Sequence, residues 1–216
     1  MGKLGSRMDH NNMAQTEITT LFLDIGGVLL TNGWDQHARL LASQQFGIDY
    51  SELNQRHHLT YDTYEAGKIS LDEYLKRVVF FHPRQFSKKD FINFMFQVSQ
   101  PYPEMLDLIP RLKPKYHLRT VAVSNEGREL TLYRIQKFNL HGFIDTFVSS
   151  CFVHIRKPDE AIYQLALDVS NTKPANALYL DDRMMFIEVA KSLGIQTIHH
   201  EDAAATKKAL EKFGLT

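Results

Sequence analysis

The sequence has only one cysteine, no apolar run long enough to cross a bilayer, and no excess of either charge. A single Cys151 excludes an internal disulfide, and the first residues lack the apolar segment of a secretory signal, so we expect a cytoplasmic protein. No stretch approaches the roughly 20 apolar residues of a transmembrane helix. Because 25 basic residues balance 25 acidic ones, no overall field attracts nucleic acid or acidic membranes. We expect neither as a partner.

The length and composition fit one α/β domain with a modest insertion. Residues 1–17 are polar and contain several methionines, which predicts a disordered leader or a cloning remnant outside the fold. The rest of the 216-residue chain, which is 44% hydrophobic, is long enough to bury a sizeable core.

An apolar run near residue 20 predicts the first strand and a catalytic position at its end. Leu21, Phe22 and Leu23 lack apolar/polar alternation, which is typical of a parallel strand buried on both faces. Asp24 follows directly, where ligands bind in open α/β sheets. Gly26 and Gly27 carry no Cβ, so the backbone there can turn tightly or approach a ligand.

The next 70 residues show helical patterns and no strand pattern. Ser70 and Glu73 form a capping box, in which the Glu73 side chain is expected to reach back to the cap. Other helices are predicted at about 36–46, 51–58, 88–98 and 104–113. Because this block has apolar faces of its own, we expect a helical cap subdomain at residues 33–100, inserted into a core of residues 18–32 and 101–216.

From residue 119 onwards, predicted strands alternate with predicted helices. We expect strands at 120–124, 143–149, 177–180 and 196–199, and helices at 127–138, from Pro158 onwards, before Gly194, and at 203–213. Such alternation predicts βαβ units. The fold class is therefore α/β, with a Rossmann-like parallel sheet flanked by helices and a small α-helical cap.

Polar side chains lie at or near four of these strand ends, and they are Asp24, Ser124, Asn125, Lys157, Asp181 and Asp182. In a parallel sheet such ends converge on one crevice. Three crowded carboxylates repel one another unless a cation neutralises them, and hard oxygen ligands suit Mg²⁺. A hydroxyl, an amide and a lysine suit phosphoryl oxygens. The pattern predicts phosphoryl transfer.

Four segments in order resemble the motifs of the haloacid dehalogenase-like hydrolase superfamily, and they are residues 24–29 (DIGGVL), 123–125 (VSN), 156–159 (RKPD) and 179–183 (YLDDR). The resemblance covers about residues 19–200. It implies that Asp24 is a nucleophile forming an aspartyl-phosphate, that Ser124 and Asn125 bind the phosphoryl group, and that Lys157 neutralises nucleophile and phosphate. It also implies Mg²⁺ held by Asp24, Asp182 and the Gly26 backbone carbonyl, with Asp181 in the outer shell.

Two residues depart from the family pattern. Most phosphatases of the family have an aspartate as general acid and base two residues after the nucleophile, where this chain has Gly26. A positioned proton donor is worth roughly 10²–10⁴-fold in rate, so we expect substrates with good leaving groups to suffer least. Gly26→Asp should raise turnover of alkyl esters, unless a cap residue such as Asp62 or Glu65 already supplies the proton. Phe186 replaces a polar residue often found near the metal.

The leading interpretation is a Mg²⁺-dependent phosphatase of a small phosphorylated metabolite, with sugar phosphates among the candidates. A haloacid dehalogenase-type C–halogen hydrolase also uses an aspartate nucleophile, but its chemistry needs no metal, so Asp181 and Asp182 argue against it. A non-catalytic member that binds a phospho-ligand or a partner is the third interpretation, and Gly26 keeps it open. The paired histidines at 57–58 and 199–200 lack the partner spacing of a zinc site.

Overall fold

The computed structural model describes residues 17–216, so all of the leader predicted for residues 1–17 except its last residue lies outside the described residues. The strands are β1 (Thr20–Leu23), β2 (Arg119–Ser124), β3 (Thr146–Ser149), β4 (Ala177–Asp181) and β5 (Gln196–His199). The helices are α1 (Gln36–Phe46), α2 (Tyr50–Glu65), α3 (Leu71–Val78), α4 (Lys88–Gln97), α5 (Pro103–Lys115), α6 (Arg128–Lys137), α7 (Ser150–Val153), α8 (Glu160–Ser170), α9 (Met184–Ser192) and α10 (Ala203–Glu211).

The five strands form one parallel sheet in the order β3-β2-β1-β4-β5, which places β1 at its centre. Both faces of β1 are buried. Leu21 and Leu23 pack into the hydrophobic cluster on one face, and Phe22 packs into the cluster on the other. Helices cover both faces, as buried parallel strands require. The predicted α/β Rossmann-like fold is confirmed.

Helices α1 to α4 lie between β1 and α5 and have a hydrophobic cluster of their own, which includes Trp34, Tyr74 and Phe91. The two chain segments that lead into and out of this helical insertion pair with each other. The Thr31 N–H donates to the Gln100 carbonyl at 2.8 Å. The division of the chain at residues 33 and 100 stays a prediction.

Two helix starts differ from their predictions. Glu73 does not reach back to the cap of α3, because its carboxylate pairs with Arg77 at 2.9 Å, although Ser70 does accept from the Glu73 N–H. The helix predicted from Pro158 begins at Glu160 instead. The Asp159 side chain accepts from the Ala161 N–H and so takes the cap position.

Two further boundaries were predicted wrongly. Helix α2 continues to Glu65, beyond the predicted 51–58, because its last turn is held by contacts with the sheet domain, described below. Strand β3 begins at Thr146 and not at Phe143, whose carbonyl accepts from the Lys113 side chain at 3.0 Å. The other elements agree with prediction to within about two residues. No helix within residues 17–216 has the length and apolar character required to cross a membrane.

Candidate active site

Three carboxylates meet at the carboxyl edge of the sheet, and Asp24, Asp181 and Asp182 each have an oxygen within 4.8 Å of the others. The sheet register brings them together. Leu23 of β1 lies opposite Leu180 of β4, so the next residues of both strands emerge side by side. The predicted convergence of these acids is therefore observed.

Lys157 supplies the positive charge of this cluster from the loop before α8. Its Nζ lies 3.1 Å from Asp24 Oδ2 and 2.6 Å from Asp181 Oδ2, and its side chain is completely buried. Burial opposes the ammonium charge, but the two carboxylates outweigh it and raise the lysine pKa. Asn125 fixes the position of this lysine, because its amide accepts from the Lys157 N–H at 2.9 Å and donates to the Lys157 carbonyl at 2.8 Å.

The surroundings of Asp24 raise the pKa of its carboxyl group. Burial raises its pKa to about 6, and the carboxylates of Asp181 and Asp182 add to this rise, while Lys157 and a hydrogen bond from Ser124 oppose it. The Ile25 N–H donates to Asp24 Oδ1 at 2.7 Å. A buried acid between a lysine and two acids is typical of functional sites.

Asp181 and Asp182 differ in how their oxygens are used. Asp181 Oδ1 accepts from the Arg183 N–H at 2.8 Å, and its Oδ2 accepts from Lys157 and Tyr179, so both oxygens have protein donors. Asp182 Oδ2 accepts from Asn32 at 3.2 Å, whereas its Oδ1 is buried with no hydrogen-bond partner within residues 17–216. An oxygen left open beside two other carboxylates fits a cation ligand.

Gly27 allows Asp182 to approach the loop after β1. Its φ is +79°, and a Cβ at this position would lie 2.2 Å from Asp182 Oδ2. Both the backbone conformation and the packing therefore require glycine here. Gly26 has no positive φ, and a Cβ there would meet Asn32 Oδ1 at 3.1 Å.

A cavity of about 360 Å³ lies above the acidic cluster, between the sheet and the helical insertion. The insertion contributes Tyr61, Asp62 and Glu65 of the polar stretch at the end of α2. Arg156 ties this stretch to the sheet domain, with ion pairs of 2.6 Å to Asp62 and 2.5 Å to Glu65. Phe186 also lines the cavity, and its ring lies 4.9 Å from Lys157 Nζ.

The sequence analysis missed Glu126 and Arg134, which line the same cavity and form a buried ion pair. The sequence feature that could have pointed to Glu126 as a site residue is its position directly after the Ser-Asn pair at the end of β2. His57 packs inside the insertion, where Tyr74 OH lies 2.8 Å from its Nδ1. Burial lowers the pKa of His57 to about 2.

Comparison with known proteins identifies relatives of the whole fold. A family model for haloacid dehalogenase-like hydrolases matches residues 18–194. The chain is 30% identical over 132 residues to a phosphorylated carbohydrates phosphatase of Thermotoga maritima, covering 61% of this chain and 56% of that protein. It is 23% identical over 203 residues to a D-ribitol-5-phosphate phosphatase of Bacteroides thetaiotaomicron, covering 89% and 97%.

The chain spans between about a tenth and just over half of the length of the first curated relatives that it matches. Acyl-CoA dehydrogenase family member 10 of mouse is 33% identical over 115 residues, which are 53% of this chain and 11% of that protein. Among solved structures, a family enzyme of Bacteroides thetaiotaomicron in complex with magnesium and inorganic phosphate has a TM-score of 0.72 at 20% identity, covering 86% and 96% of the two chains. A dehalogenase has a TM-score of 0.61 at 20% identity, covering 83% of each chain. These structural likenesses show the shared fold.

Proposed function

Because the chain belongs to the haloacid dehalogenase-like hydrolase family, we propose that it is a Mg²⁺-dependent phosphatase of a small phosphorylated metabolite, with sugar phosphates as the first candidates. The observation that carries this proposal is the cluster of three carboxylates around a buried lysine at one sheet edge. Relatives that act on phosphorylated carbohydrates and on D-ribitol 5-phosphate support the substrate class. A cytoplasmic location stays a prediction.

In this proposal Asp24 is the nucleophile. Its carboxylate oxygen attacks phosphorus and forms an aspartyl-phosphate, which water then hydrolyses. Ser124 lines the same cavity as Asp24, and its hydroxyl would donate to a phosphoryl oxygen. Lys157, buried against Asp24, would balance the charge of carboxylate and phosphate.

The donor set fits Mg²⁺, which prefers a few carboxylate oxygens and completes its shell with water and phosphate. Asp24 and Asp182 would hold the ion with the Gly26 carbonyl, and Asp181, whose oxygens are already hydrogen-bonded, would support the outer shell. Bound there, Mg²⁺ would neutralise charge on the phosphate. The phosphate-binding role of Asn125 stays a prediction, and its amide also bonds the Lys157 backbone through one N–H and its oxygen. We assign it to positioning that lysine.

One assay separates the three interpretations. Phosphate release from a panel of sugar phosphates and an aryl phosphate is expected with Mg²⁺ and is expected to be lost in excess EDTA and restored by added Mg²⁺. A parallel measurement of halide release from a 2-haloacid is expected to give none. Full turnover in EDTA contradicts the metal assignment, halide release favours the dehalogenase, and binding of phosphate esters without turnover favours the non-catalytic member.

Gly27→Ala is expected to weaken Mg²⁺ binding by roughly 10–100-fold, the range found when groups that orient metal ligands are changed. The added methyl group would overlap the Asp182 carboxylate and strain a backbone with φ of +79°. Calorimetric titration with MgCl₂ measures the effect. Gly47→Ala is the matched control, because it strains a backbone with φ of +62° while its methyl group meets nothing within 4 Å. Equal affinities in the two variants would show that the Asp182 approach is unimportant.

A further inference from the structure

The cavity is also lined by a buried carboxyl group, Glu126, that the roles above do not use. Its side chain is only 9% exposed, and its Oε1 lies 3.1 Å from Arg134 Nη1. Its Oε2 is buried and has no hydrogen-bond partner in the part of the chain that the structure describes. Leaving a buried carboxyl oxygen without a partner costs free energy, and such groups often serve function.

Glu126 lies beside the position at which the family acid is missing. The nitrogen of Arg134 that pairs with Glu126 is 3.7 Å from the point where a Cβ on Gly26 would lie. A Cβ on Gly33 would lie 2.5 Å from Glu126 Oε1. Glu126 therefore packs against the loop that follows the nucleophile, in space that is open because residue 33 is glycine, and Arg134 lies between it and the position of residue 26.

The arginine that holds Glu126 also holds the base of the insertion. Arg134 donates to the Thr31 carbonyl at 2.7 Å and to Ser99 Oγ at 3.0 Å. These bonds fix the guanidinium on both connecting segments, so the Glu126 carboxyl is placed by a rigid partner. The cap carboxyls Asp62 and Glu65, offered above as alternative proton donors, are instead paired with Arg156.

The electrostatic surroundings suit proton exchange near neutral pH. Burial raises the pKa of Glu126 to about 7, Arg134 opposes the rise, and the carboxylates of Glu65 and Asp24 add to it. A group whose pKa lies near the operating pH can both give and take a proton. The ionisable groups that interact with it are Arg134, Glu65, Asp24, Tyr61, Tyr64 and Cys151.

We propose that Glu126 is the general acid and base of this enzyme, taking the place left open at Gly26. The inference rests on the proposed phosphatase function. In the first step Asp24 attacks phosphorus, the bond from phosphorus to the ester oxygen breaks, and that oxygen leaves as an alcohol with the Glu126 proton. In the second step water attacks the aspartyl-phosphate, its proton returns to Glu126, and the Asp24 carboxylate leaves phosphorus to give inorganic phosphate.

Glu126→Gln tests this role, because glutamine still accepts a hydrogen bond from Arg134 but exchanges no proton. We expect turnover of an alkyl phosphate to fall by roughly 10²-fold or more, within the 10²–10⁴-fold range of general acid catalysis. In this variant the first step on p-nitrophenyl phosphate still proceeds, because nitrophenol leaves without an acid. Nitrophenol should therefore be released in a burst that is followed by slow turnover. The fall of kcat/KM for the alkyl ester above about pH 7 should disappear, since this limb reports deprotonation of Glu126.

Three variants make the test decisive. Glu129→Gln is the matched control, because Glu129 also has one buried unpaired oxygen but does not line the cavity, and it should leave the pH profile unchanged. Glu126→Asp keeps a carboxyl group at this position. We expect it to turn over the alkyl phosphate more slowly but to keep the fall of kcat/KM at high pH. Gly26→Asp should raise alkyl turnover little in the wild-type background, but in the Glu126→Gln background it should raise alkyl turnover by about 10-fold or more.

The outcomes separate this inference from the proposed function. If the wild type releases phosphate but Glu126→Gln slows aryl and alkyl esters equally, with no burst and an unchanged pH limb, Glu126 is only the partner of Arg134 and the inference is wrong. If Glu126→Gln unfolds and Glu126→Asp loses the pH limb, the inference is also wrong. If the wild type releases phosphate from no ester with Mg²⁺, the phosphatase proposal and the inference fall together.

Discussion

Asp24→Asn is expected to lower phosphate release by roughly 10⁴-fold or more, on the scale that loss of a covalent nucleophile causes in enzymes. The amide cannot attack phosphorus, so no aspartyl-phosphate forms. Steady-state rates with an aryl phosphate measure the loss, and acid quenching with labelled substrate should find no phosphate on the protein. Retained turnover would show that another group attacks phosphorus.

The loss should not come from unfolding. Burial raises the pKa of Asp24 from 3.8 to about 6. In the metal-free protein the free energy of unfolding therefore falls as the pH rises through 6, because Asp24 becomes charged in a buried position. Asparagine stays neutral. In EDTA at about pH 8 the variant is therefore expected to melt at the same temperature as the wild type or higher, and near pH 4 the two should converge. Asp107→Asn, which changes an exposed acid on α5, is the control for substitution alone.

Asp182→Asn is expected to remove Mg²⁺-dependent stabilisation and, with it, roughly 10³-fold or more of the activity. In the wild type, Mg²⁺ at about 100 times its Kd should raise the free energy of unfolding by about 2.7 kcal/mol. The variant loses the carboxylate whose Oδ1 has no protein partner, so its melting temperature should not respond to Mg²⁺. Differential scanning calorimetry with and without MgCl₂ measures both responses.

Asp202→Asn provides the comparison for this metal test. Asp202 is an exposed acid that is not one of the three clustered carboxylates, and its side chain caps α10, so its variant should keep the full Mg²⁺ response at a slightly lower melting temperature. An Asp182→Asn protein that Mg²⁺ still stabilises as strongly as the wild type would remove Asp182 from the ligand set. Its activity loss would then need another explanation.

Much of the fold could be predicted because its signals are local. The apolar runs of β1, β2 and β4 lack alternation, and each is followed by polar residues, which is enough to place Asp24, Ser124 and Asp181 on one edge of a parallel sheet. Two local predictions failed for different reasons. The capping box failed because Glu73 pairs with Arg77 within its own helix, and the end of α2 was misplaced because Arg156, far away in the chain, holds its last turn.

The order of the elements and the residue types at the sheet edge could be predicted from the amino-acid order alone, since hydrophobic periodicity and strand ends are properties of neighbouring residues. The use of each polar atom follows from the three-dimensional packing. This packing directs the Asn125 amide to the Lys157 backbone, brings Asp182 against Gly27, and leaves Glu126 Oε2 without a partner among residues 17–216. These outcomes depend on atoms from segments far apart in the chain meeting within a few ångströms, because hydrogen bonding and desolvation act over that range and leave no periodic trace in the sequence.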